Sequence, residues 1–449
     1  MQSGSEGIQD QTSARSMKVR YSWTLLFFVL VLTGGVYFVK EASGPDPGRA
    51  WQAYLTNYLF WSGISFSALV FVAVLNITNA RWGRPLKRLA EAIGAFSLPS
   101  FLLFWGLYLG REAIFPWIKE PAPGKEQWLS IPFLFARDGI SLFLLSALSL
   151  VLIYLSLRNE RQRDAGLAGT GGGSSQERPG NAASEGLGAL PWKGQAILSP
   201  IFVILYVFVL TLVAFDLVMS LDPHWYSTLL GGYFFIGSFY SGLAGLVLLS
   251  GLFQATFGRE TDLAKILQPR HFHDLGKLLF GFCMMTGYLF YTQFLVIWYG
   301  NIPEETHYLI KRLCHMPWKA LAWVILPAAF AIPFVVLLIR KIKMRSGVLI
   351  FLSIAILAGM WLERLLLVAP SIWKSQQIPL GLCEALVTGG FGGVMALTIS
   401  IFLSRFPLLP FSDPLFQEEW QRIRKETTPL TAAVSFDARE EGPGGKIPG

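Results

Sequence analysis

Long apolar stretches alternate with short polar ones along the whole chain. Ten apolar stretches, at 21–39, 54–75, 92–109, 131–157, 196–220, 229–253, 278–299, 320–339, 348–369 and 380–403, are rich in Leu, Phe, Val, Ile and Gly. Crossing the hydrocarbon core of a bilayer takes about 20 residues of helix at about 1.5 Å rise each. With no water to bind backbone N–H and C=O groups, such a stretch satisfies its own backbone only as a helix. The short alternating strands of a membrane barrel are absent. The pattern predicts an all-α integral membrane protein of about ten transmembrane helices.

Composition agrees. The chain has 449 residues, 53% hydrophobic and 15% charged, with a mean hydropathy of +0.48, whereas a soluble protein carries about 25% charged residues. The polar intervals divide the chain into a disordered N-terminus (1–20), helices one to four (21–157), a flexible Gly/Ser-rich linker (158–195), helices five to ten (196–404) and a charged tail (405–449). Lys40-Glu41 follows the first stretch where a secretory signal would have a small-residue cleavage site, so that stretch reads as a retained anchor.

The net charge of +8 belongs to the positive-inside rule and implies lipid, not nucleic acid, as the partner of the surface. Arg81, Arg84, Lys87 and Arg88 follow the second stretch, and Arg158, Arg161 and Arg163 follow the fourth. Arg259, Lys265, Arg270 and Lys277 follow the sixth, and Arg340, Lys341, Lys343 and Arg345 the eighth. The alternate loops are mixed or acidic. All basic loops thus fall on one side of a ten-span count, which places both termini in the cytoplasm.

The ligand inventory argues against a resident cofactor. A membrane haem b needs two His near mid-bilayer on different helices, but His224, His271, His273, His307 and His315 all fall in loops or at helix ends. Cys283, Cys314 and Cys383 are scattered, and no C-x-x-C-H is present. His271-x-His273 beside Asp274 is weak support for a metal. The expectation is that the chain binds neither a metal nor a redox cofactor.

Ionisable residues in hydrocarbon are the candidates for function. Asp216 stands alone in VAFDLVMSLDP; Lys277 opens helix seven; Arg137-Asp138 and Glu363-Arg364 are adjacent opposite charges near an interface, for which a structural role, snorkelling or pairing with another helix, serves equally well. On helix seven Lys277, Tyr288 and Tyr291 share a face that runs toward Tyr299, with Gln293 nearby. Such a face either relays protons along water or anchors the helix at the interface. Ser220–Thr228 and Trp298–Thr306 concentrate aromatics, carboxylates and His224 in two outer loops. They read either as proton exits or as turn punctuation.

Three of these segments carry a resemblance. FDLVMSLDPHWYSTLLGGYFF (215–235), HFHDLGKLLFGF (271–282) and YTQFLVIWYGNIPEET (291–306) resemble membrane subunits of alternative complex III, the bacterial quinol:electron-acceptor oxidoreductase, within the NrfD/polysulfide-reductase-like family. The resemblance implies two four-helix bundles, helices two to five and six to nine, with one flanking helix on each side. It further implies a sister NrfD-like subunit and an iron–sulfur subunit as the place of quinol oxidation, and haem c subunits as acceptors. This chain would then conduct protons or hold a quinone. The positions it singles out are Asp216, Asp222, His224, Tyr226, His273, Asp274, Lys277, Tyr291, Gln293, Tyr299, Glu304 and Glu305. WLERLLLVAPS in helix nine departs toward the sister subunits.

Three functions therefore compete: a cofactorless, proton-conducting subunit of a quinol oxidoreductase; a direct quinone-binding anchor; and a secondary transporter. The third lacks the paired Gly/Pro-broken helices of that class. The charge alternation makes a direct prediction. In intact cells with a permeabilised outer membrane, an impermeant maleimide labels single cysteines in 222–228 or 301–316 and leaves those in 164–190 unmodified; labelling of 164–190 would invert the topology.

Overall fold

The protein is described as a computed structural model covering residues 21–121, 123–169, 182–257, 266–373 and 377–422. Among these residues all regular structure is helical. Ten helices are long and apolar enough to span a bilayer: α1 (Tyr21–Ala42), α2 (Pro47–Ile77), α3 (Arg84–Leu109), α4 (Ile131–Arg158), α5 (Lys193–Leu221), α6 (Leu229–Thr256), α7 (Pro269–Gly300), α8 (Trp318–Leu338), α9 (Ser346–Ile372) and α10 (Leu382–Arg405). Each predicted stretch has its helix. The helices often begin earlier than the apolar pattern does, because their first turns are polar. α7 starts at Pro269, where the Gln268 N–H donates to His271 Nδ1 (3.0 Å) and a proline needs no N–H partner.

Helix α2 is the hub. α1, α3, α5, α6, α9 and α10 all pack on it, and 89% of its most apolar window is buried. α2–α5 close one four-helix bundle and α6–α9 a second, and the bundles meet along α2–α6, α5–α6 and α2–α9. The flanking helices differ from expectation. α1 packs on α10, and both lie against α2 on the same flank rather than one on each side. Small residues cause this. A Cβ on Gly34 would sit 2.6 Å from the Leu386 carbonyl oxygen and 2.7 Å from Gly390 Cα, and one on Gly393 2.9 Å from the Phe27 oxygen. Close backbone approach is how helices associate in lipid, where no hydrophobic force drives them together.

Two boundaries also shift. The helix of α4 continues to Gly169 and that of α5 begins at Ala182, so the linker expected over 158–195 is helical at both ends, and 170–181 lie outside the described residues. Of the expected tail, 406–422 fold back onto the end of the molecule that carries the basic loops, and Leu408, Leu409 and Phe416 are buried there. The expected disorder of 1–20 lies outside the described residues.

The α1–α10 crossing yields a prediction. Gly34→Leu should destabilise the detergent-solubilised protein by roughly 1–3 kcal/mol through overpacking, read as a lower thermal midpoint. Gly35→Leu should leave the midpoint unchanged, since a Cβ at Gly35 meets nothing within 4 Å.

Candidate functional site

The end of the first bundle away from the basic loops holds a cluster built by all four of its helices. Asp216, near the end of α5, is fully buried. Arg137 of α4 donates to its Oδ2 from Nε (2.8 Å) and Nη2 (2.6 Å), and Trp128 Nε1 donates to its Oδ1 (3.0 Å). The Arg137 guanidinium in turn lies 3.7 Å over the Trp128 ring. A charge-assisted pair of this kind, backed by cation–π contact, is a strong tie between helices. Arg137 thus pairs with another helix, one of the two roles its sequence position suggests, and its partner is Asp216.

Asp138 has no such donors. It is buried, it lies beside Asp216, and neither of its oxygens has a hydrogen-bond partner in the protein. Tyr58 of α2 faces it, with Ser100 of α3 beside Tyr58, and both hydroxyls are buried outside hydrogen-bond geometry. An unsatisfied buried polar group costs about 1–3 kcal/mol. Two such hydroxyls, one from α2 and one from α3, thus gather beside an unsatisfied carboxyl of α4, a concentration of unpaired polar groups that calls for an explanation.

The basic-loop end holds a second buried network. Arg84 Nη1 and Lys87 Nζ reach Asp413 Oδ2 at 3.0 and 3.2 Å, and Lys87 also donates to Gln195 Oε1. Arg88 pairs with Glu91 (2.5 Å) and Glu160 (3.2 Å), and Ser412 donates to Glu160 from both its backbone N and its Oγ. The sequence reading placed Arg84, Lys87 and Arg88 in a solvated cytoplasmic loop; they are buried within the first turns of α3. Their signal was present. Residues 84, 87, 88 and 91 recur at i, i+3, i+4 and i+7, one face of a helix. Between the two clusters Ser146 Oγ of α4 donates to the Ser97 carbonyl of α3, and the Ser97 hydroxyl is buried and unpaired.

The path expected along helices five and seven is not assembled. α7 packs on α6, α8 and α9, and α6 stands between it and α5. Its Lys277, Tyr288 and Tyr291 are exposed, and Tyr299 is 85% exposed, so this face turns outward and only Gln293 is buried. Asp274 binds Lys277 at 2.6 Å and His273 at 3.8 Å, as a local surface cluster. His224, Tyr226 and Glu304 are exposed, and Asp222 and Glu305 half-buried. The periodicity was real, but a polar helix face marks either an interior or an interface, and here it is the interface. In the second bundle Glu363 and Arg364 do pair, at 3.3 Å, and both are buried.

Fold and clusters together define a multi-pass helical membrane protein with ionisable groups buried inside its bundles. The sequence profile of polysulphide reductase, NrfD, matches residues 42–374, and the chain belongs to the NrfD family. No curated protein matches the chain significantly. Family membership makes it a membrane, quinone-interacting subunit of a redox complex.

The network at the basic-loop end gives a stability prediction. Asp413→Asn removes the anion facing two buried cations and should cost roughly 3–5 kcal/mol, measured by thermal inactivation. Glu418→Gln, which breaks only the exposed pair with Arg81, should change stability by less than about 1 kcal/mol.

Proposed function

We propose that this chain is a cofactorless, proton-conducting membrane subunit of a respiratory quinol:electron-acceptor oxidoreductase of the alternative complex III type, in the position of its ActF subunit. The observation that carries the reading is the buried carboxyl of Asp138, unpartnered and beside a second carboxylate. Two carboxylates in contact inside a membrane do not both ionise, so one proton resides on the pair and is exchangeable. Arg137 holds the charge of Asp216, which leaves Asp138 to take up and release that proton.

Protons would move along the first bundle. Glu160, Glu91 and Arg88 form the cytoplasmic mouth. Ser146, Ser97, Ser100 and Tyr58 supply hydroxyls for water between, and the Asp138–Asp216 pair delivers to the periplasmic side, where Arg137 is partly solvent-accessible. Asp138 and Glu160 are separated by about 33 Å of continuous helix, close to one bilayer thickness. Quinol would be oxidised by the sister NrfD-like and iron–sulfur subunits, with electrons passing to haem c subunits and none through this chain. The NrfD match and the three resembling segments support this assignment.

Asp138→Asn tests it. The substitution is nearly isosteric and spares the Arg137–Asp216 pair, which Asp216→Asn would break. The variant should co-purify with its haem and iron–sulfur partners and oxidise quinol at the native rate. In vesicles it should release fewer protons per electron. An unchanged stoichiometry in a fully assembled complex refutes the path, and native protein that purifies without redox partners favours a transporter.

A further inference from the structure

The second bundle contains a buried carboxyl that the path above does not use. Glu363 of α9 is 5% exposed, and neither of its oxygens meets hydrogen-bond geometry. Arg364 Nη1 is 3.3 Å from it, but that guanidinium is held elsewhere. Its Nη2 donates to the Phe234 carbonyl and to Ser238 Oγ, both at 3.2 Å, and it lies 4.0 Å over the Phe234 ring. Tyr233 of α6 and Tyr308 face Glu363 from the other sides.

Tyr308 comes from outside the bundle. It belongs to the surface helix Pro303–Leu313, whose Glu304 and Glu305 occupy the first turn and Lys311 and Arg312 the last, a charge order that suits the helix dipole. Arg312 pins this helix to the end of α9 through the Leu367 carbonyl (3.2 Å) and Ser371 Oγ (2.9 Å). The Tyr308 ring is stacked on Trp225 at 3.6 Å and carries the Arg312 guanidinium at 3.5 Å; two groups that close require opposite faces of the ring. Tyr308 is therefore a clamped plug. Its hydroxyl is nevertheless buried without a partner, as are Trp225 Nε1 and Arg312 Nε. On the outer side Asp222 lies within electrostatic reach of Tyr308, Lys311 and Arg312.

We infer that Glu363 is a second proton-exchange site, separate from Asp138, that passes its proton through the Tyr308 hydroxyl to Asp222, with the surface helix Pro303–Leu313 as its gate. The step balances within the chain. Because the Tyr308 hydroxyl and both Glu363 oxygens lack a direct partner, the Glu363 carboxyl gives its proton through a bridging water to the Tyr308 oxygen as the phenolic proton leaves, through a second water, for the Asp222 carboxylate. Tyr308 stays neutral throughout, and one proton has moved outward. Burial, chiefly, pushes the Tyr308 phenol above its ordinary value, which suits a relay that is never itself ionised. The groups facing Glu363 are Arg364 on its own helix, Tyr233 from α6 and Tyr308 from the surface helix; Arg312 and Asp222 lie beyond Tyr308. On the α2 side of α9, Asn57 Oδ1 accepts from Trp361 Nε1 at 3.0 Å.

The inference rests on the proton-conduction reading only for the direction of flow; the site itself is tested without turnover. Dicyclohexylcarbodiimide, an apolar reagent that attacks protonated carboxyls in lipid, is applied to the purified full-length protein in its complex, and adducts are located by peptide mass. Glu363 should be modified in the native protein, and Glu363→Gln should lose that adduct while any at Asp138 remains. Tyr308→Phe keeps the plug and should label at the native rate. Tyr308→Ala removes it and should label Glu363 at least about tenfold faster, in proportion to the fraction of open state. Absence of a Glu363 adduct in both native and Tyr308→Ala proteins means an ion pair locked to Arg364 and overturns the site. Equal labelling rates in those two proteins overturn the gate. Deuterium uptake by the carboxyl, followed as the isotope shift of its infrared carbonyl band, should slow in Tyr308→Phe. An unchanged rate there overturns the relay, whatever the proton stoichiometry of Asp138→Asn.

Discussion

A charge inside a bilayer must meet its opposite there, and the bond between Arg137 and Asp216 is where this chain meets that demand most completely. One carboxylate takes two donors from a guanidinium and a third from Trp128. The pair fixes α4 against α5 at one end of the first bundle, with Trp128 folded over it. Arg137 gives its Nε and Nη2 donors to Asp216, and the adjacent Asp138, also buried, receives no hydrogen bond from it. The chemistry assigned to Asp138 depends on that division of labour: one carboxylate held, its neighbour left free.

The two bundles solve the same problem differently. In the first, the spare carboxyl is inside a ring of hydroxyls contributed by spanning helices. In the second, Glu363 has its arginine next to it in sequence, and its cover comes from a short helix lying outside the bundle. The first site is framed by long elements packed along their length, the second by one aromatic ring clasped between Trp225 and Arg312. Local opening is therefore much easier at the second.

How much of this was legible in sequence depended on the physics behind each signal. Ten spans were legible because hydrocarbon leaves the backbone only one way to bond, and apolar length reports it directly. The α1–α10 pairing was not, because Gly34, Gly390 and Gly393 are apolar filler in a hydropathy pattern and act only once two backbones touch. The burial of Arg84 and Lys87 was not legible because a composition rule sees positive charge, not the Asp413 that meets both from more than 300 residues away. The polar face of α7 was legible as a face while relay and interfacial anchoring both stayed open: periodicity says that residues share a side, not what that side meets. Asp216 was singled out for its isolation in sequence, and isolation there meant that its partner lay on another helix.

The fold-back of 406–422 has a consequence for biogenesis. A chain emerges from the ribosome N-terminus first, so Arg84 and Lys87 reach the membrane when seven spans and the anion that neutralises them are still to be made. Until α10 has inserted and Asp413 has followed it, the contact that both cations make with that carboxylate is not formed. The bundle can assemble early but closes last, when the final helix is in place.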